Sequence, residues 1–585
     1  MTPKNYISFF KSNITKRVLK LFASEFEQPR VDPTIFKFET PPDEKMGHLA
    51  FACFPLAKIA CAGPQQIADI LARQWGGSDY FQKIVSAGPY LNFFFSPEFL
   101  TSELLTTCIN DARYGESDQG SEKTIMVEYS SPNTNKPMHL GHCRNNLLGI
   151  SLSNLLENTG YRVIKANLIN DRGIHICKSM YAYQRWGNGE TPESTGIKGD
   201  KLVGKYYVLY DQKEKAHPDI LKEVQQMLRD WENGDSEVRA LWQKMNGWVL
   251  DGFYQSYDRM GATFDKIYRE SETYQGGKEV VYKALEAGTC EREANGAISI
   301  DLEANKLGKK ILLRGDRTAM YITQDINTTI TKFTDYKLNG SLFVVADEQN
   351  NHFRVLFKIL EKFGYDWAKC CEHVSYGMIT LPEGKMKSRE GTVVDLDDLM
   401  DKMKTMAKEE LESRYHNNNI TEEIDIEETA EAISQSAIKF YILKTNASKE
   451  ISFNREESLS FDGATGPYLQ YTHARISSLL KKLDFRIQDT VAEDYHWQEE
   501  EIKLMVLLSR FPDAVLQSIN DRNPAVICSF VYDLCRSYNK FYHEHPILKA
   551  DQTTERNFRV MISQATQKVL AKALNILSIK PLERM

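Results

Sequence analysis

The feature that most constrains this chain is a strand–turn–helix passage between Thr124 and Glu157 with two histidines at its turning point. The apolar run Thr124-Ile125-Met126-Val127 reads as a short buried strand. From Arg144 an amphipathic stretch carries Leu147, Leu148, Leu152, Leu155 and Leu156 at helical spacing. Between them lies Glu128-Tyr129-Ser130-Ser131-Pro132-Asn133-Thr134-Asn135-Lys136-Pro137-Met138-His139-Leu140-Gly141-His142. A parallel strand that hands over to a helix in this way aims the helix N-terminus, with its unpaired amides and positive dipole, at whatever binds there. Phosphate is the usual guest. Imidazoles at that place can donate hydrogen bonds to a phosphate as it gains charge. A four-residue His-x-Gly-His can equally be a pair of solvated or helix-capping histidines, so a second motif has to decide.

That second motif is Lys385-Met386-Lys387-Ser388-Arg389-Glu390-Gly391. It follows the apolar stretch Val374 to Leu381 and a Pro-Glu-Gly turn at Pro382 to Gly384. Basic side chains held on a glycine-flanked loop form a clamp for a triphosphate. The pair of motifs, in this order and separated by an α/β-like middle, resembles the HIGH and KMSKS signatures of class I aminoacyl-tRNA synthetases. Glu-Tyr-Ser-Ser-Pro-Asn before the histidines looks like the arginyl-tRNA synthetases of bacterial type. So do Gly199-Asp200-Lys201-Leu202-Val203-Gly204, Tyr321-Ile322-Thr323-Gln324-Asp325 and the ending Pro581-Leu582-Glu583-Arg584-Met585. The resemblance covers essentially the whole chain. The second loop departs from the family wording, reading Lys-Met-Lys-Ser-Arg where Lys-Met-Ser-Lys-Ser is usual.

At 585 residues the chain is too long for one core, so several domains are expected. Residues 1–118 read as an α/β module with a helical start (Ile7 to Phe26) and the β-rich run Tyr90 to Phe95. The resemblance makes it the additional N-terminal domain that touches the corner of the tRNA. His48 stands in it where the family more often has Asp. Residues 119–457 read as a Rossmann-like catalytic domain, interrupted near 187–300 by a mostly helical insertion too short to house an editing domain. Residues 458–585 are helical throughout, which fits the family's anticodon-binding domain. The fold class is therefore α/β, with a helical domain appended. The formal charge of -7 lends no support to a polyanionic partner, and that expectation rests on the motifs alone. No apolar run reaches membrane-spanning length and the N-terminus lacks a signal-peptide core, so a cytoplasmic enzyme is expected. Ten scattered cysteines without a C-x-x-C pair suggest free thiols and no structural metal.

The resemblance implies roles for individual residues. His139, Gly141 and His142, with Lys385, Met386, Lys387 and Ser388, would bind ATP, which brings Mg²⁺. His139, His142, Lys385 and Arg389 would act on its phosphates during catalysis. A guanidinium presents five donors in a fixed fork and needs matching carboxylates. Tyr321 and Asp325, spaced i, i+4 on one helix face, and Glu270 would line that pocket. Asn133 and Gln349 would hold the α-amino and α-carboxylate groups, with Glu128 as a further contact to the ammonium. Tyr538 and Tyr542 read as exposed aromatics able to stack on unpaired bases, and the terminal Met585 joins them as a tRNA contact. The partners implied are L-arginine, ATP and tRNA(Arg), without a membrane, for a monomer. A small nucleotidylyltransferase would not need the flanking domains. A cysteinyl enzyme would show zinc ligands, and the branched-aliphatic synthetases a larger insertion. A synthetase-like tRNA-binding regulatory protein without activity would not need intact histidine and lysine motifs.

Overall fold

The computed structural model describes residues 5–27, 31–274, 276–382, 394–418, 424–483 and 495–585. Five parallel strands form its central sheet: β1 (Thr124–Glu128), β2 (Arg162–Ile169), β3 (Lys266–Arg269), β4 (Gly340–Ala346) and β5 (Cys371–Tyr376). Their spatial order is β5-β4-β1-β2-β3. β1 lies beside β4, with Phe343 opposite Glu128, yet the chain reaches β4 only after placing β2 and β3 on the other side. The connectivity reverses there, which opens a crevice at the carboxyl ends of β1 and β4. The helix Leu140–Asn158, here the histidine helix, starts from that edge directly after β1.

Four long helices (Ile174–Trp186, Gly199–Ala216, Ile220–Asn233 and Ser236–Met260) separate β2 from β3. The span 187–300, expected to be one insertion, thus contains a strand of the catalytic sheet itself. β3 is only Lys-Ile-Tyr-Arg, and on an edge three of its four side chains remain partly exposed. That mixed polarity in four residues leaves no hydrophobic period to detect. Between β3 and β4 come a small antiparallel sheet and the helix Tyr321–Tyr336.

The N-terminal module packs the helix Tyr6–Glu25 on a four-stranded antiparallel sheet through an aromatic core, Phe10 stacking on Phe95 at 4.2 Å between ring centres. His48 is buried inside this module. Its Nδ1 accepts from the Phe95 amide at 3.0 Å, and burial, then the Arg510 charge, holds its imidazole down at about 4. It is an uncharged structural side chain.

The C-terminal part is helical. The apolar period runs on from Glu500 to Ile519 in the sequence, but the structure breaks the helix at Arg510 into Glu499–Ser509 and Phe511–Asn520. Pro512 explains the break, because it has no N–H to continue the ladder and fits only the first turn of a new helix. One contiguous apolar core joins all three regions, from Phe10 through Leu147 to Leu534.

Candidate active site

Past the end of β1 the chain turns sharply, with Ser130 and Ser131 both at positive φ (76° and 47°). Such backbone is costly for a residue with a Cβ and persists only where neighbours over-determine it. Here Asn145, buried on the histidine helix, accepts from the Ser130 amide and donates to Val344 O at 2.7 Å and Tyr376 Oη at 3.0 Å. The Ser131 amide donates to Asn167 Oδ1 at 3.1 Å. The turn is therefore tied to β2, β4 and β5 at once.

It delivers His139 to the N-cap of the histidine helix. The Gly141 amide donates to His139 Nδ1 (3.1 Å) and the His139 amide to His142 Nδ1 (3.2 Å), a reciprocal capping box made of two imidazoles. The rings lie 4.1 Å apart. A Cβ at Gly141 would stand 2.9 Å from the His139 ring, which is why glycine separates them. Burial and the Lys136 charge hold His139 down at about 4; burial, then His139 and Lys136, hold His142 well below the ordinary imidazole value. Both rings are neutral near pH 7. Because each Nδ1 accepts a backbone proton, each Nε2 carries the ring hydrogen. Capping thus occupies one edge of each ring and leaves the Nε2–H edge as a hydrogen-bond donor.

A cavity of about 510 Å³ gathers Asn133, Glu270, Tyr321, Asp325 and Gln349 with Asn170, Arg172, Gln324, Thr328 and His352. Five of the six residues expected around an arginine side chain and backbone therefore line one space. Asp171, at the end of β2, accepts from the Ser271 amide (2.9 Å) and Oγ (2.7 Å) and so fixes the backbone that carries Glu270. Burial pushes the Glu270 carboxyl up to about 7, with Arg172 opposing and Asp171 and Asp325 adding to the rise. Asp325 receives His352 Nε2 at 2.7 Å. Tyr321, on the cavity's rim, is 78% exposed.

Glu128 stands apart from these five. It is buried at the end of β1 in an ion pair with the equally buried Lys332 and does not line the cavity. The carboxylate neutralises a lysine beneath the switch point. His352 and Arg172 were missed from the sequence. The readable signal for His352 was its position three residues past Gln349; for Arg172 it was the Asn-Asp-Arg-Gly run closing β2. Lys385, Met386, Lys387, Ser388 and Arg389 lie outside the described residues.

In the helical part, Tyr538 is a correction: it is fully buried, its hydroxyl on Ser563 Oγ at 3.0 Å, because it falls on the core face of its helix. Tyr542, one turn later and 39% exposed, lines a cleft of about 590 Å³ with Met585, Tyr471, Arg475, Lys482 and Lys549. The Arg475 guanidinium lies 5.1 Å from the Tyr542 ring centre. An aromatic wall with three cations around it suits an unpaired, phosphate-linked base.

Family models match along the chain. The arginyl tRNA synthetase N terminal domain covers residues 8–95, the class I (R) tRNA synthetase catalytic domain 103–455, and the DALR anticodon binding domain 469–585. The arginine–tRNA ligase of Bacteroides thetaiotaomicron is 43% identical over 563 residues, covering 92% of this chain and 94% of that protein. That of Treponema denticola is 42% identical over 568 residues, covering 95% and 96%. The solved arginyl-tRNA synthetase of Thermus thermophilus matches with a TM-score of 0.83 over 98% of this chain and 100% of that one, at 24% identity, a likeness of fold. Among the described residues no helix is long and apolar enough to cross a membrane. With three family domains in sequence and relatives above 40% identity along nearly the full length, the chain belongs to the arginyl-tRNA synthetases.

Proposed function

We propose that this chain attaches L-arginine to tRNA(Arg), forming arginyl-adenylate from ATP and then transferring the arginyl group to the terminal adenosine. The observation that carries the reading is the cavity in which Glu270 and Asp325 face a common space beside Tyr321. Two carboxylates are what a guanidinium fork requires, and an aliphatic or thiol side chain would leave both without a partner. Asn133, on the loop that runs on to His139, and Gln349, after β4, hold the α-amino and α-carboxylate groups at the switch point.

In the first step the α-carboxylate attacks the α-phosphorus of ATP in line, and pyrophosphate leaves. No covalent enzyme intermediate is needed, and catalysis comes from positioning and charge stabilisation. The Nε2–H groups of His139 and His142 donate to the phosphate oxygens as charge builds there. Being uncharged, these rings offer no anionic ligand, so Mg²⁺ enters with the phosphates that bind it. Lys385 and Arg389 act on the departing pyrophosphate. The N-terminal module meets the corner of the tRNA, while the Tyr542–Met585 cleft takes an anticodon base. The enzyme works as a monomer in the cytoplasm.

Arginine-dependent exchange of label between pyrophosphate and ATP, measured with and without tRNA(Arg), tests the reading. Exchange driven by arginine and not by lysine, citrulline or cysteine is expected. Exchange with another amino acid would point to a different synthetase, and none at all to a regulatory tRNA-binding protein.

A further inference from the structure

Arg144 lies in the core, one position past Cys143 on the histidine helix and 1% exposed. Its Nη1 donates to Gly377 O (2.6 Å) and Met378 O (3.0 Å). Its Nη2 donates to Ala447 O (2.9 Å) and Lys449 O (2.7 Å), with a longer contact to Asn446 O (3.4 Å). One guanidinium thus binds two segments some seventy residues apart in sequence. The same segments continue as a short parallel ladder, Ile379 with Ile451 and Thr380 with Ser452, and the Gly377 amide donates to Ala447 O at 2.9 Å. A Cβ at Gly377 would stand 2.9 Å from the Lys449 backbone.

Among the described residues Arg144 makes no ion pair, and backbone carbonyl dipoles take the place of a counter-ion. Burial lowers its pKa to about 10, with Tyr376 and Asp347 opposing, so the side chain remains charged near neutrality. Burying an unpaired guanidinium is costly, and packing alone could be met by hydrocarbon. What hydrocarbon cannot do is hold two strands to one helix in a single register. Lysine cannot do it either, because its compact ammonium has three donors and no planar fork to span both segments.

The downstream side is referenced to the same helix. His139 forms a bridge with Asp395, and the Leu396 amide donates to Met138 O at 3.0 Å. Lys201 holds Asp398 (2.6 Å) and Asp395 (3.4 Å), and Lys198 holds Asp397 at 2.5 Å. Residues 385–389 fall in sequence between these two anchors, one fixed through Arg144 and the other through the N-cap of the histidine helix.

We propose that Arg144 is a positioning residue for adenylate formation. It sets the register of residues 376–380 and 446–449 against the helix that carries His139 and His142, and so aligns the phosphate-facing groups before pyrophosphate leaves. The proposal rests on the ligase reading above. Arg144 touches neither the arginine cavity nor the reacting atoms, so its loss should act on turnover and leave amino-acid affinity alone.

The test uses the full chain with Arg144→Lys and, separately, Gly377→Ala, which forces the segments apart while keeping the guanidinium. Three quantities are read: the turnover of arginine-dependent pyrophosphate exchange, arginine affinity by calorimetry, and amide hydrogen exchange over residues 376–380 and 446–452. Both variants should bind arginine as the wild type does and lose about 100-fold in turnover, the scale of a misplacement near one ångström. Amide exchange in both segments should quicken. Wild-type turnover in folded Arg144→Lys, or unchanged amide exchange, would overturn the proposal. So would turnover and arginine affinity falling in step, which would mark general destabilisation. If the wild type itself showed no arginine-dependent exchange, the ligase reading would fail, while the amide measurement would still decide whether Arg144 holds the two segments.

Discussion

At the scale of single residues, the proposed function separates groups that bind from groups that serve the transition state. His142 caps a helix with one nitrogen and presents N–H with the other. His142→Ala should therefore slow adenylate formation by about 10² to 10³ while arginine affinity, measured calorimetrically, stays put. Near-normal turnover would remove the phosphate role. The proposed role of Asp325 is binding. Asp325→Asn should raise the arginine KM tenfold or more, since losing one carboxylate of a buried guanidinium pair costs about 2–5 kcal/mol. An unchanged KM would place Asp325 outside the pocket. Glu270 adds a pH dependence. Its carboxyl titrates near 7 in the empty site, against 4.5 ordinarily. A raised carboxyl pKa means that folding favours the protonated form, so the stability of the empty protein falls as pH rises from about 4.5 to 7. The cost when fully ionised is about 3 kcal/mol. Bound arginine supplies the missing counter-charge but needs the carboxylate ionised. The arginine KM should therefore climb as pH drops below about 7, by up to about tenfold per unit. A flat KM profile from about pH 5.5 to 8 would count against Glu270.

At the scale of elements, small residues decide how closely helices approach. The run Gly463-Ala464-Thr465-Gly466-Pro467 reads in sequence as punctuation at a domain joint. In the structure Gly466 opens the helix Gly466–Lys481 and packs on the backbone of the helix Ile426–Leu443, where an added Cβ would lie 2.2 Å from Ser436 O. Gly466→Ala should separate these helices and cost about 1–3 kcal/mol, as overpacking generally does. Thermal unfolding would show it, and a melting temperature equal to wild type would mean the interface can give way freely. Pro512 teaches the same lesson. The period of the apolar residues runs straight through Arg510, and only the missing N–H of proline marks the break.

At the scale of the whole molecule, the three regions behave as one packed body. Tyr114 Oη donates to Leu508 O at 2.7 Å, and Asn154 reaches Asn575 O at 3.1 Å and Ile576 O at 3.2 Å. A helical domain appended as an independent unit could be deleted to leave a working catalytic part, but here truncation before residue 458 would strip the histidine helix of the helices that cover it. The proposed tRNA contact is better probed by a point change. Tyr542→Ala should raise the tRNA(Arg) KM about tenfold, stacking being worth about 1–3 kcal/mol per base, with the arginine KM unaltered. An anticodon loop left fully reactive in footprinting of the intact enzyme would show that this cleft serves another purpose.

The residue order alone was enough to read the histidine turn, the long helices and five residues that line one cavity, because helical period, strand–turn–helix context and motif spacing are local properties written in consecutive positions. Tyr321 and Asp325 could be paired because four residues on a helix always share a face. What the order could not reveal depends on contacts between distant segments. Tyr538 and Tyr542 look alike in sequence, and only the direction in which their helix turns its core face buries the first and exposes the second. Glu128 reads as a free carboxylate until β1 and the helix bearing Lys332 come together. Arg144 looks like one more surface cation of an amphipathic helix. Its burial against carbonyl groups of two remote segments is set by the packing of the whole catalytic part, which no local pattern encodes.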